Sequence, residues 1–196
     1  MAEPIVPPPI DIAHASLAEI AAAVAAKRLP PVEQWNPEHC GDIDMRIAAD
    51  GTWFHAGSPI GRPAMVRLFS TILRREPDGS YVLVTPVEKL NIMVEDAPFV
   101  AVELTSEGAG KARNLAFRLN TDEVVIAGPD HPLRVETAPD GNPRPYLHVR
   151  GKVGNGLEAL LNRPVFYELA ELALAETPPD DRPGLWSGGA FFAFAD

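Results

Sequence analysis

The chain reads as an α+β protein of two related lobes, with mostly antiparallel sheets and one long helix per lobe. Three observations support this. Short runs in which apolar and polar residues alternate, separated by turn residues, have the period of half-buried strands. Two apolar segments, opened by Arg62-Pro63 and Arg163-Pro164, have helical spacing instead. A pattern also occurs twice. Met45-Arg46-Ile47, Asp50-Gly51, Trp53-Phe54-His55 and Arg62-Pro63 match Leu133-Arg134-Val135, Asp140-Gly141, Tyr146-Leu147-His148 and Arg163-Pro164. The separation between matching residues grows along the copy, as when insertions collect in the loops of a duplicated unit. On this register Trp53 pairs with Tyr146 and His55 with His148, each in a hairpin followed by a helix.

Residues 1–40 read as an N-terminal extension. Residues 1–15 are rich in proline. Ser16-Leu17-Ala18-Glu19 has the form of a capping box, in which the serine and glutamate side chains satisfy each other's free backbone amides. Leu17, Ile20 and Val24 share a helical face, Lys27 and Arg28 suit the C-terminal dipole, and Pro30-Pro31 stops the helix.

The first lobe is placed at 41–110. Ile43, Met45 and Ile47 alternate with Asp44 and Arg46 in a strand, Asp50-Gly51 turns it, and Thr52–Ala56 returns. Pro63 suits the first turn of a helix, where Met65, Leu68, Phe69, Ile72 and Leu73 recur until Pro77-Asp78-Gly79-Ser80. Tyr81–Thr85, Leu90–Glu95, Phe99–Leu104, Leu115–Leu119 and Glu123–Ala127 follow as strands. The second lobe is placed at 111–196. It repeats hairpin and helix, with a short apolar helix inserted at Leu157–Leu161 and the long helix at 164–176. The tail brings Leu185, Trp186, Phe191, Phe192 and Phe194 close together, too apolar a patch to stay in water, so it is expected to dock on a lobe or a second subunit.

An apolar fraction of 46% and a charged fraction of 22% are ordinary for a globular protein. The formal charge of −10 repels phosphate backbones and argues against nucleic-acid binding. The single cysteine, Cys40, allows no intrachain disulfide and fits a reducing compartment. The start lacks the form of a signal peptide, and no run of about 18 apolar residues spans a membrane. A cytoplasmic protein is expected.

No catalytic signature, zinc spacing or cofactor fingerprint appears. Glu38-His39-Cys40-Gly41-Asp42 collects possible metal ligands without the paired spacing a zinc site needs, so no metal is assigned. Gly151-Lys152-Val153-Gly154-Asn155-Gly156 fits neither phosphate-loop pattern, and no cofactor is assigned. The pattern points to a non-enzymatic binding or regulatory module, taking a small anion or a protein partner near the lobe interface. Arg62, His148, Arg150 and Arg163 are the main candidates, because guanidinium forks read carboxylate and phosphate. Arg62 and Arg163 can equally pair with a carboxylate of the opposite lobe, which is the preferred expectation for these two. His55, Glu88, Lys89 and Asp96 are secondary candidates. The alternative is a small hydrolase in which His55 or His148 acts as base beside Glu88, Glu95 or Asp96.

Several stretches together resemble a bacterial family known as domain of unknown function 1285. They include Cys40-Gly41-Asp42-Ile43-Asp44-Met45-Arg46-Ile47, Tyr81-Val82-Leu83-Val84-Thr85-Pro86-Val87-Glu88-Lys89, Val94-Glu95-Asp96-Ala97-Pro98-Phe99 and Gly184-Leu185-Trp186-Ser187. The resemblance covers about 40–190. It implies two roll-like lobes and supplies no activity and no catalytic residues.

Overall fold

A computed structural model describes residues 29–176 and 182–194, so the helix expected over 16–28 lies outside the described residues. After a 3-10 turn at Val32–Gln34, the first sheet is built from β1 (His39–Ile47), β2 (Trp53–His55), β3 (Ser58–Pro59), β4 (Leu73–Arg75), β5 (Tyr81–Val84) and β6 (Glu88–Val94). Helix α1 (Pro63–Thr71) joins β3 to β4. The second sheet comprises β7 (Phe99–Glu107), β8 (Asn114–Leu119), β9 (Val124–Ile126), β10 (Leu133–Thr137), β11 (Pro143–Arg150) and β12 (Leu157–Leu161), followed by α2 (Arg163–Ala175). A last hairpin, β13 (Gly184–Ser187) and β14 (Ala190–Ala193), ends the described chain.

The sheets run β3-β2-β1-β6-β5-β4 and β10-β11-β12-β7-β8-β9. These are one topology. In each lobe the first and last strands lie side by side in the centre and are parallel, while all other neighbours are antiparallel. The sheets part between Val94 and Phe99, upstream of the boundary expected near 110, because β7 pairs with β8 and β12.

The lobes are related, but the expected register of the repeat is wrong. The hairpin β1–β2 runs from the centre of its sheet outward, whereas β10–β11 runs from the edge inward. Trp53 is therefore not the counterpart of Tyr146, nor His55 of His148. The true partner of β10–β11 is β4–β5. Leu73, Arg74 and Leu83 take the places of Leu133, Arg134 and Leu147, since Leu73 pairs with Leu83 and Leu133 with Leu147. Arg74 pairs with Glu76 two residues on, and Arg134 pairs likewise with Glu136. Both hairpins close through Asp-Gly, at Asp78-Gly79 and Asp140-Gly141, with the glycine at positive φ. The sequence match arose because Asp50-Gly51 makes the same turn, with Gly51 at φ 84° and Gly141 at φ 82°. The Arg-Pro helices are not equivalent either. α1 lies in the crossover of the first lobe, and α2 follows the last strand of the second.

Two further readings change. Pro77–Ser80 does not end a helix but turns β4 into β5, and Ile72 and Leu73 leave α1 for its cap and β4. Leu68, expected in the core, is 62% exposed, while Phe69 and Ile72 make the expected contact and Val66 joins them. Leu157–Leu161 is a strand. Its helix-forming residues are overridden because β11 and β7 pair with it on both sides, and Leu157, Ala159 and Leu161 alternate into the core.

One continuous core joins the lobes. It includes Ile47, Trp53 and Leu73 of the first and Phe99, Phe117 and Leu147 of the second. From α2, Val165, Leu169 and Ala173 enter at helical spacing, and Asn162 caps that helix by accepting from the Val165 amide at 3.0 Å. Across the lobes, Asn120 Nδ2 donates to the Gly51 carbonyl at 3.3 Å, Arg67 pairs with Asp122, and Arg150 donates to the Ser70 carbonyl. Among the described residues no helix is long and apolar enough to cross a membrane.

The tail hairpin packs on the second lobe. Leu185 is fully buried, Ser187 Oγ donates to the Ala127 carbonyl at 2.7 Å, and it accepts from the Leu115 amide at 2.9 Å. Leu185→Ala is expected to cost about 2–5 kcal/mol, the range for truncating a buried leucine. Leu174→Ala, at a side chain 84% exposed, is expected to change stability by less than about 0.5 kcal/mol. Denaturant unfolding of the two variants checks the contrast, and equal losses would mean that the tail does not pack as described.

Candidate functional site

A cleft of about 640 Å³ lies between the lobes. The turn between β1 and β2 supplies Ala49 and Asp50, and the turn between β10 and β11 supplies Asp140 and Asn142. Arg144 follows on β11, and Asn162 and Arg163 stand at the head of α2. Phe166 and Tyr167, on the next turn of α2, give the cleft an apolar wall.

Its two carboxylates hold their own turns. Asp50 accepts from the Thr52 amide at 2.9 Å, which helps hold its carboxyl below the usual carboxylate range. Asp140 accepts from the Asn142 amide at 3.0 Å and from Asn142 Nδ2 at 2.9 Å, with the same effect on its pKa. The Arg144 guanidinium pairs with Asp96, which also accepts from the Tyr146 hydroxyl at 2.8 Å. Burial and then this bond push the Tyr146 phenol up to about 12. Arg163 differs from Arg144. It is exposed and has no carboxylate partner among the described residues.

The remaining candidates are dispersed. Arg62 is exposed ahead of α1, and neither it nor Arg163 bridges the lobes as expected. Arg67, five residues further on, makes that bridge by reaching Asp122 in the β8–β9 turn. Arg150 is mostly buried under the end of α1, with Phe99 beneath its guanidinium at 5.3 Å and Glu123 at 3.9 Å. His148 is 3% exposed, and its Nε2 meets the Gly151 carbonyl at 3.1 Å. Lys89 pairs with Glu76 at 3.1 Å, and Asp96 is held by Arg144 and Tyr146. His55 and Glu88 both border a smaller apolar pocket in the first lobe. Along β1 the residues from His39 to Asp44 alternate between the two faces of the strand, which splits the possible metal ligands.

A second interlobe cleft, about 530 Å³, includes Arg74, Glu76, Arg150 and Asn155. Arg74 is buried, donating to Glu76 at 2.6 Å and to the Val32 and Trp35 carbonyls at 2.7 and 2.8 Å. Sequence reasoning singled out none of Arg74, Asn142, Arg144 and Asn162. The available signal was the Asp-Gly-Asn turn leading into Arg144, which marks a short loop that brings polar groups to one edge.

Two family models match the chain, the N-terminal domain of DUF1285, a domain of unknown function, over residues 30–97 and its C-terminal domain over 98–194. The chain belongs to the DUF1285 family. A crystal structure of a DUF1285 family protein from Silicibacter pomeroyi DSS-3 is 49% identical, with a TM-score of 0.78, and the match covers 89% of this chain and 93% of that one. A DUF1285 family protein from Shewanella baltica OS155 is 24% identical, with a TM-score of 0.49, over 66% of this chain and 92% of that one. No curated protein matches. The boundary between the two DUF1285 models falls where the sheets part.

Within this DUF1285 fold His148 has a measurable signature. Burial pushes its pKa below the ordinary 6.5. The unfolded chain therefore takes up the proton more readily, and stability falls as pH drops below about 6.5 and through the folded-state value. His148→Asn is expected to flatten that slope between roughly pH 7.5 and 5, above the range where carboxylates titrate. Urea unfolding at several pH values checks it, and an unchanged slope would show that His148 does not titrate on unfolding.

Proposed function

We propose that this protein is a non-enzymatic binding or regulatory module of the cytoplasm that takes a small organic anion into the cleft between its lobes. Arg163 carries the reading. It is a guanidinium without a carboxylate partner among the described residues, on a cleft that also holds Arg144 and the amides of Asn142 and Asn162. Such forks read a carboxylate or phosphate in two places at once. Asp50 and Asp140 also line the cleft and repel a second acid, so the favoured ligand has its acid at Arg163 and hydroxyl or amine groups elsewhere. The cleft volume suits a small metabolite.

The hydrolase alternative finds less support. Glu95 is engaged by Arg46 and the Ala49 amide, and Asp96 by Arg144 and Tyr146. His148 meets a carbonyl, not a carboxylate. His55 lies opposite Met45 and Glu88 opposite His39 on the two sides of β1. That register separates their backbones by more than about 15 Å at ordinary strand spacing, well beyond a shared proton. A protein partner is the second reading, favoured by Tyr167 and Leu174, which are 60% and 84% exposed at i and i+7 on α2.

A thermal-shift panel of carboxylates, phosphates and hydroxy acids tests the proposal. A ligand at a hundred times its Kd stabilises by about 2.7 kcal/mol. Arg163→Ala is expected to remove that shift without lowering the melting temperature of the free protein. Silence across the panel, or a shift that survives the substitution, would sink the anion reading and leave the protein partner.

A further inference from the structure

The first lobe contains a pocket separate from the interlobe cleft, of about 360 Å³. Its floor is the inner face of the first sheet, where Ile43 and Met45 of β1, Leu83 of β5 and Leu90 of β6 point the same way. Its roof is α1, through Met65 and Phe69, with Ile72 at the helix cap. The helix above it is nine residues long. The volume lies within the range of small-molecule sites. Met65 is 39% exposed, and an unbranched thioether adapts to different occupants.

Three polar residues border this apolar space: His55, Thr85 and Glu88. They are not equally available. The Thr85 hydroxyl accepts from the Val87 and Glu88 amides at 3.3 and 3.2 Å and is committed to its own turn. The Glu88 carboxylate is half-buried and has no cation or donor partner among the described residues. Lys89, the next residue, points to the opposite face and pairs with Glu76. A carboxylate at the edge of an apolar wall, with no cation beside it among the described residues, favours an occupant that supplies one. The formal charge of −10 adds to that preference at long range.

The geometry points to this pocket as a binding site for a small amphiphilic amine, with its hydrocarbon between the sheet and α1 and its ammonium at Glu88. The site is independent of the interlobe cleft and does not use Arg163.

Titration calorimetry of the full chain with octylamine, octanol and octanoate at neutral pH tests the assignment. Octylamine is expected to bind saturably at one site, about tenfold more tightly than octanoate, with octanol between them. E88Q is expected to weaken octylamine by about fivefold, the scale of a partly exposed ion pair, and to leave octanol unchanged. M65W, which fills the mouth from an exposed position, is expected to weaken all three, and R163A none. Melting curves of E88Q and M65W confirm that each variant is folded, and either variant alone suffices for the comparison. No saturable heat from octylamine would overturn the site. Octanoate binding as tightly as octylamine would overturn the ligand class, and binding indifferent to both E88Q and M65W would place it elsewhere. Loss of an anion shift at the interlobe cleft leaves all these outcomes unaffected, so the two sites fail separately.

Discussion

Each lobe is organised by a parallel pair at the centre of an otherwise antiparallel sheet. β1 lies beside β6, and β7 beside β12. Parallel neighbours cannot be joined by a tight turn, so the chain must leave one edge of the sheet and re-enter at the other. A flat sheet of six strands would be about 24 Å wide. In the second lobe the crossing uses only the segment from Ile126 to Leu133, which includes a turn in which Gly128 and His131 exchange both backbone bonds at 3.1 Å. So little chain can bridge the edges only if the sheet rolls until they approach. In the first lobe α1 makes the crossing and fills the roll. The same constraint thus produces a packed helix in one lobe and a bare turn in the other. It leaves the second lobe to be completed by α2 and the tail hairpin.

The charged residues follow from that arrangement. Arg74 and Arg134 occupy the same place in the two lobes, each pairing with a glutamate two residues on. Their partners across the sheet are also comparable, since Lys89 meets Glu76 and Glu158 meets Arg134. The environments then diverge. Arg74 is buried beneath the Val32 and Trp35 carbonyls and fastens the lead-in segment. Arg134 covers the Tyr146 ring at 4.4 Å. A duplicated position has kept its ion pair while its second contact has changed.

Most polar residues with a chemical role in prospect serve the fold. Arg150, His148, Lys89 and Asp96 all have close partners that hold turns or join lobes. Arg163 at the interlobe cleft and Glu88 in the first lobe are charged side chains that border space without such partners among the described residues. Binding is read from those two, because an uncompensated charge beside a cavity can gain a partner without losing one.

The sequence by itself determined the class, the strands with period two, the Arg-Pro helix starts, and the apolar tail that docks. These depend on local spacing and on apolar surface that must leave water, and both are written in neighbouring residues. It also held the evidence of two related lobes, but in the wrong register. Asp50-Gly51, Asp78-Gly79 and Asp140-Gly141 all make one kind of turn, and a turn does not record which edge of a sheet it serves. Only strand pairing distinguishes them. Pairing also decided that Leu157–Leu161 is a strand, because the two neighbours that claim its backbone come from 99–101 and 146–150. The sites were less legible for the same reason. Whether an arginine is free or bonded depends on a carboxylate or carbonyl from a distant segment, as Ser70 is for Arg150 and Asp122 for Arg67. Tertiary structure brought those groups together and, among the described residues, left Arg163 and Glu88 without an ion-pair partner.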